Sequence, residues 1–245
     1  MTSLRFLLLS CILLISPQIL IQAQQPYVGN STTDSSNTNA SPSVLGYACN
    51  GVNQTCQAYL TFRSNPPYNT VVSISNLLNA NATQLSQVNS ISESSTFGTA
   101  RAHQSGDTLL LIANNTFQGM STCHAIQNET SDPTAHLIQD SGLTVPLRCA
   151  CPTEKQAAAG VSYLLSYLIT WGQTVSGISA EFETQTGLTL EANELSANDF
   201  IYPFTTLLVP LSNPPKRFQT IAPPPATSVN DHKSVYMLVG ILGGM

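Results

Sequence analysis

The chain has 245 residues, of which only 9% are charged, and its thirteen acidic side chains outnumber eight Lys and Arg to give a formal net charge of −5. With no basic field to hold a polyanion, nucleic acid is excluded as a partner.

Residues 1–23 read as a secretory signal: Arg5 is the only charge ahead of an apolar run from Phe6 to Ile21, and the small Ala23 offers a cleavage site. Residues 24–44 are expected to be disordered. Cys11 leaves with the signal, so the mature chain keeps Cys49, Cys56, Cys123, Cys149 and Cys151. Exported cysteines are normally paired, and an odd number needs an explanation. Asn30, Asn39, Asn53, Asn81, Asn114 and Asn128 each begin an Asn-x-Ser/Thr acceptor, as expected of a glycosylated surface protein.

A cadence then recurs three times, the mark of a small module used in series. The first copy (45–97) carries Thr70, Ile74, Leu78 and Asn89, and the third (160–211) repeats that spacing as Thr174, Ile178, Phe182 and Asn193. The second (98–148) begins with Gly106-Asp107-Thr108 and Ile112, but its Phe117 and Asn128 fall one place late. Copies two and three close on Val145-Pro146-Leu147 and Val209-Pro210-Leu211.

The third copy is the most explicit. Tyr163–Ile169 reads as a strand. Thr174 caps a helix with a Val175, Ile178 and Phe182 stripe, and Gly187 is the expected stop. A second helix is expected over Thr189–Leu195. Thr206–Val209 forms the closing strand with Pro210 at its limit. The module is therefore strand-helix-helix-strand, an α+β unit too small to bury much apolar area without cross-links.

Two strands are missing from this scheme. No closing strand follows Asn89, and Gly98-Thr99-Ala100-Arg101-Ala102-His103 is a poor opening strand for copy two. The sequence thus implies a segment absent near 97–104. Beyond the third copy, 212–233 is a Pro-rich stalk containing Pro214, Pro215, Pro223, Pro224 and Pro225. Residues 234–245, with the apolar run Val235–Leu242, are expected to begin a transmembrane helix and so anchor the chain in a membrane; about 20 apolar residues are needed to span.

Strand-helix-helix-strand with Gly-Asp-Thr, Phe, Asn and Val-Pro-Leu resembles the lysin motif (LysM), a binder of N-acetylglucosamine-containing glycans. Three motifs, Cys149-Ala150-Cys151 between the last two, and the stalk resemble the ectodomain of plant LysM receptor-like kinases. The runs Val145-Pro146-Leu147-Arg148-Cys149-Ala150-Cys151-Pro152 and Asn115-Thr116-Phe117-Gln118-Gly119 resemble the chitin co-receptor branch, whose kinase domain is typically degenerate. The resemblance implies a receptor on the extracellular face of the plasma membrane. It would recognise chitin oligomers in innate immunity, use no cofactor, and signal through a kinase-active LysM receptor. The alternatives are a cell-wall adhesive glycoprotein, a non-functional truncated receptor product, or a reader of lipo-chitooligosaccharide or peptidoglycan.

The family has two Cys-x-Cys pairs, and this chain retains only the second. Carried over, the family's pairing leaves Cys56–Cys151 intact, with Cys49 and Cys149 as orphans able to pair together; Cys123 reads as a buried thiol. The resemblance also implies a glycan site on two loops of the second motif: Gln104, Ser105, Gly106 and Asp107 in one, Pro133, Thr134, Ala135 and His136 in the other, with Met120 as a methyl contact. The bland readings are a helix cap for Asp107 and Thr108 and a solvated loop position for His136.

Catalysis and metal binding are set aside. Glycan hydrolysis needs two carboxylates facing across a cleft, whereas Glu181 and Glu183 point to different sides of a helix and Glu191 and Glu194 read as a solvated face. Cys123, His124 and His136 lack any paired ligand spacing for zinc.

Overall fold

The computed structural model describes Tyr27, Gly29 and residues 55–96, 108–129, 143–215 and 236–244. The signal, Cys49, three of the acceptors (Asn30, Asn39, Asn53), residues 97–104 and most of the stalk lie outside the described residues. In chain order the elements are β1 (Thr55–Arg63), α1 (Val71–Leu77), α2 (Ala82–Asn89), α3 (Leu109–Leu111), a π-helical turn (Ile112–Thr116), α4 (Cys123–Glu129), α5 (Glu154–Ala158), β2 (Tyr163–Leu168), α6 (Val175–Glu181), α7 (Thr186–Ala192), β3 (Thr206–Leu211) and β4 (Tyr236–Gly244). The strands form one sheet in the order β3-β2-β1-β4.

The third module shows the building rule. Thr174 takes extended backbone and its Oγ1 accepts from the Gly177 N–H at 3.1 Å, capping α6. α6 buries Val175, Ile178 and Ser179, while Phe182 packs edge-on against Tyr167 at 5.4 Å between ring centroids. The helix boundaries differ from expectation. Glu183 supplies the left-handed turn (φ 53), so no glycine is needed there, and Gly187 lies inside α7, which starts earlier than Thr189. β2 and β3 pair antiparallel from Tyr163↔Leu211 to Leu168↔Thr206. Pro210 lies within β3, tolerated because this is an edge strand with no ladder donor required on its outer side.

The recurring asparagine has a structural role. Asn193 is fully buried; its Nδ2 donates to the carbonyls of Thr189 and Leu208, both at 2.7 Å, and its Oδ1 accepts from the Leu208 N–H at 2.9 Å. The side-chain amide therefore satisfies both outward-facing peptide groups of Leu208 on an edge strand, as a neighbouring strand would. Asn193→Ala leaves both groups of Leu208 buried and unpaired. It is expected to lower unfolding free energy by about 3 kcal/mol, measured by urea melts.

The first module obeys the same rule with one substitution of parts. Thr70 and Ser73 form a reciprocal capping box at the start of α1, and Ile74, Leu78 and Leu85 are buried. Among the described residues between Asn89 and α3 there is no closing strand. Residues 236–244, expected as the start of a transmembrane helix, instead form β4, which pairs antiparallel with β1 from Thr55↔Gly244 to Arg63↔Tyr236. Asn89 grips it as Asn193 grips β3: Nδ2 donates to the Leu238 carbonyl at 2.7 Å and Oδ1 accepts from its N–H at 2.8 Å. The physical reason is an unpaired β1 edge beside an apolar segment of matching length. Pairing gives the inward-facing peptide groups of that segment partners on β1, the Asn89 amide serves Leu238 on the outer side, and Met237, Leu238 and Val239 are buried to 1% exposure or less.

Strand alternation separates the clusters of the core, a small one of Val161, Leu164, Ala192 and Leu208 lying apart from two larger ones. Leu60, Phe62, Met237 and Val239 join Ile74, Leu85, Phe117 and Met120; Tyr59 and Leu238 join Leu165, Leu207 and Ile178. β1 and β2 are parallel neighbours, so the first and third modules share a sheet. Burial, followed by the neighbouring Tyr163, raises the pKa of the Tyr59 phenol. Cys56 is bonded to Cys151 with 5.7 Å between Cα atoms, the bridge that the resemblance implied, and ties β1 to the segment entering the third module.

Candidate functional site

Among its described residues the second module contributes helices and an extended run but no strand. Thr108 caps α3, its Oγ1 accepting from the Leu111 N–H at 3.3 Å. The π turn follows, with the Phe117 N–H reaching back to the Ile112 carbonyl at 3.2 Å. A π turn takes one residue more than an α turn, which is why Phe117 falls one place late in the cadence while still reaching the core. The residues of that wide turn, Asn114 and Asn115, are exposed.

The chain then reverses through Gln118 (φ 51) and Gly119 (φ 95). A Cβ on Gly119 would stand 2.5 Å from the Phe204 carbonyl oxygen, so only glycine permits this approach of the second module to the third. The Thr206 hydroxyl donates to the Gly119 carbonyl at 2.8 Å across the same contact. The closing run 145–148 is pinned by the Arg148 N–H to the Met120 carbonyl at 2.6 Å and by the Ser121 hydroxyl to the Pro146 carbonyl at 2.7 Å.

Of the residues expected to contact glycan, Gln104, Ser105, Gly106, Asp107, Pro133, Thr134, Ala135 and His136 lie outside the described residues. Met120 is corrected: at 1% exposure it packs with Phe117, Val145 and Leu147, so its side chain fills the core rather than meeting a ligand. Glu191 pairs with Lys155, and burial raises the pKa of the Glu181 carboxyl.

A cleft of about 560 Å³ opens where the three modules meet, a feature that sequence reasoning missed. The first module supplies Arg63 at the end of β1 and Asn65, held in a tight reversal by paired backbone bonds with Tyr68. The second supplies Asn114, Asn115 and Gln118. The third supplies Phe204 and Thr205, whose hydroxyl bonds the Tyr27 phenol at 2.7 Å and the Tyr202 carbonyl at 2.6 Å. Phe204 also meets Trp171 edge-on at 6.2 Å, and Trp171 is 67% exposed. Asn114-Asn115 and the aromatic-rich run from Phe200 to Phe204 were the available signals, but nothing in their spacing joins them.

Comparison with known proteins matches all three modules. Residues 55–103 match the NFP/LYK LysM1 domain, 98–148 the LYK3/4/5 LysM2 domain and 163–211 the LYK4/5 LysM3 domain. The first two matches overlap at 98–103. Protein LYK5 of Arabidopsis thaliana is 35% identical over 260 residues, an alignment covering 88% of this chain and 39% of the relative. Protein LYK2 of the same plant is 25% identical over 190 residues, covering 71% of this chain and 28% of the relative. The chain therefore spans well under half of either. Two solved structures share the fold: the ectodomain of a receptor like kinase (TM-score 0.52, 15% identity) and the LYK3 ectodomain (TM-score 0.50, 16% identity). Each covers 66% of this chain, which in turn covers 97% and 92% of them.

Proposed function

The chain belongs to the ectodomain family of plant LysM receptor-like kinases, and from that premise we propose that it binds chitin-type N-acetylglucosamine oligomers at the cell surface. The three LysM matches in series carry this reading, because they span residues 55–148 and 163–211 and LysM domains are binding modules. The proposed contacts are the two loops of the second module, Gln104–Asp107 and Pro133–His136. Their peptide groups and small side chains suit the acetamido and hydroxyl groups of such a glycan. Signalling would pass to a kinase-active LysM receptor brought close by a shared oligomer, with longer chains favoured because they bridge two receptors.

Surface glycosylation fits this setting. Asn81 and Asn114 are exposed. At Asn81 the Oδ1 caps α2 by accepting from the Gln84 N–H at 2.9 Å, a bond that does not use Nδ2, the atom that carries an N-linked sugar.

Calorimetry of the purified chain with chitin octamer, cellulose oligomers, peptidoglycan fragments and lipo-chitooligosaccharide tests the reading. Heat of binding with the octamer and none with cellulose is expected, and replacing Thr134 and His136 together by Ala should weaken it about tenfold. A folded protein silent toward every N-acetylglucosamine oligomer would overturn the proposal.

A further inference from the structure

We propose that the cleft at the junction of the three modules is a second saccharide subsite, taking one pyranose ring of an N-acetylated glycan. This rests on the glycan-binding reading above but uses other residues than the two loops proposed there.

Three observations point to a ligand. Gln118 is 9% exposed and lines the cleft, yet its Oε1 meets no hydrogen-bond donor among the described residues. A buried acceptor without a donor is unfavourable, and a turn of the Gln118 amide toward the cleft would let a sugar hydroxyl or acetamido N–H supply one. Second, Asn114 and Asn115 of the π turn line the cleft, and such turns gather at functional sites. Third, the Phe204 ring lines the same cleft and is 42% exposed, leaving an aromatic surface for the apolar face of a sugar ring.

The chemistry selects the ligand class. Asn65, Asn114, Asn115 and Gln118 together present both donors and acceptors, the pattern that matches hydroxyls and an acetamido group. Thr205 is committed to Tyr27 and Tyr202 and serves to hold the wall in place. The size, about 560 Å³, is ample for one ring with its acetyl group.

Two sources could deliver that ring. One is a soluble oligomer. The other is the chain's own glycan, since Asn114 both lines the cleft and begins the acceptor Asn114-Asn115-Thr116. The experiment separates them. The secreted, glycosylated chain and its Thr116→Ala variant, which loses the sugar on Asn114 but keeps the amide, are titrated with the N-acetylglucosamine tetramer and followed by saturation-transfer NMR and calorimetry. Asn115→Ala and Gln118→Asn are made in both backgrounds; Asn115 is exposed, and Asn tolerates the left-handed backbone at 118.

Each variant is expected to weaken tetramer binding about tenfold with an unchanged thermal melt, the order lost with one uncharged hydrogen bond. The same loss in both backgrounds supports a soluble ligand. Binding sensitive to Asn115 and Gln118 only in the Thr116→Ala background supports the chain's own sugar as occupant. Wild-type affinity in both variants and both backgrounds overturns the subsite and leaves the second-module loops untouched. No tetramer binding by any form overturns both readings.

Discussion

Deleting residues 236–245 is expected to unfold the first module while the third stays folded. The deletion removes Met237, Leu238 and Val239, none more than 1% exposed, and each such side chain contributes about 2 kcal/mol by burial. It also bares the β1 edge over nine residue pairs and frees the buried Asn89 amide from Leu238. The combined loss of about 6 kcal/mol is comparable to the whole stability of an ordinary domain. Hydrogen exchange would show this as lost protection over Thr55–Arg63 and Val71–Asn89 with protection kept over Tyr163–Leu211. If β1 amides stayed protected after the deletion, β4 would not be the closing strand. A helix drawn from the same residues is incompatible with β4, so any setting that takes this segment into a bilayer also opens the first module.

The second large effect is expected at Cys56. The bridge to Cys151 closes a loop with a sequence separation of 95, and removing a cross-link of that span by Cys56→Ser is expected to cost about 4 kcal/mol, mainly by freeing the unfolded chain. β1 and the segment entering the third module would then be held only by β1–β2 pairing and packing. Urea unfolding of Cys56→Ser beside the parent protein measures the loss. Non-reducing peptide mapping that found Cys56 unlinked to Cys151 would contradict the pairing itself.

The third module was legible because its signals are local: Thr174 caps, Ile178 packs, Asn193 returns to a strand residue 15 positions on. The slip at Phe117 was visible in the spacing, but not its cause. An extra residue in a helix and one in a loop look alike until the Phe117 N–H is seen to skip back to Ile112. The missing closing strand was equally visible, whereas its replacement was not. An apolar run such as Val235–Leu242 suits a helix or a buried strand equally, and what decides is a bare strand edge far away in sequence. Met120 was read as a contact by its place in a motif, and only packing shows that it turns inward beside Phe117. The cleft escaped entirely, since Asn65, Asn115 and Phe204 meet only once three modules have docked.

The borrowed strand also reverses the usual schedule of folding during synthesis. Chains ordinarily finish their N-terminal parts first. Here the third module has both its strands as soon as Leu211 is clear of the ribosome, whereas the first cannot be completed until Gly244 has emerged. Until then the outer rim of β1 stands bare, and the earliest segment to be made is the last to be finished.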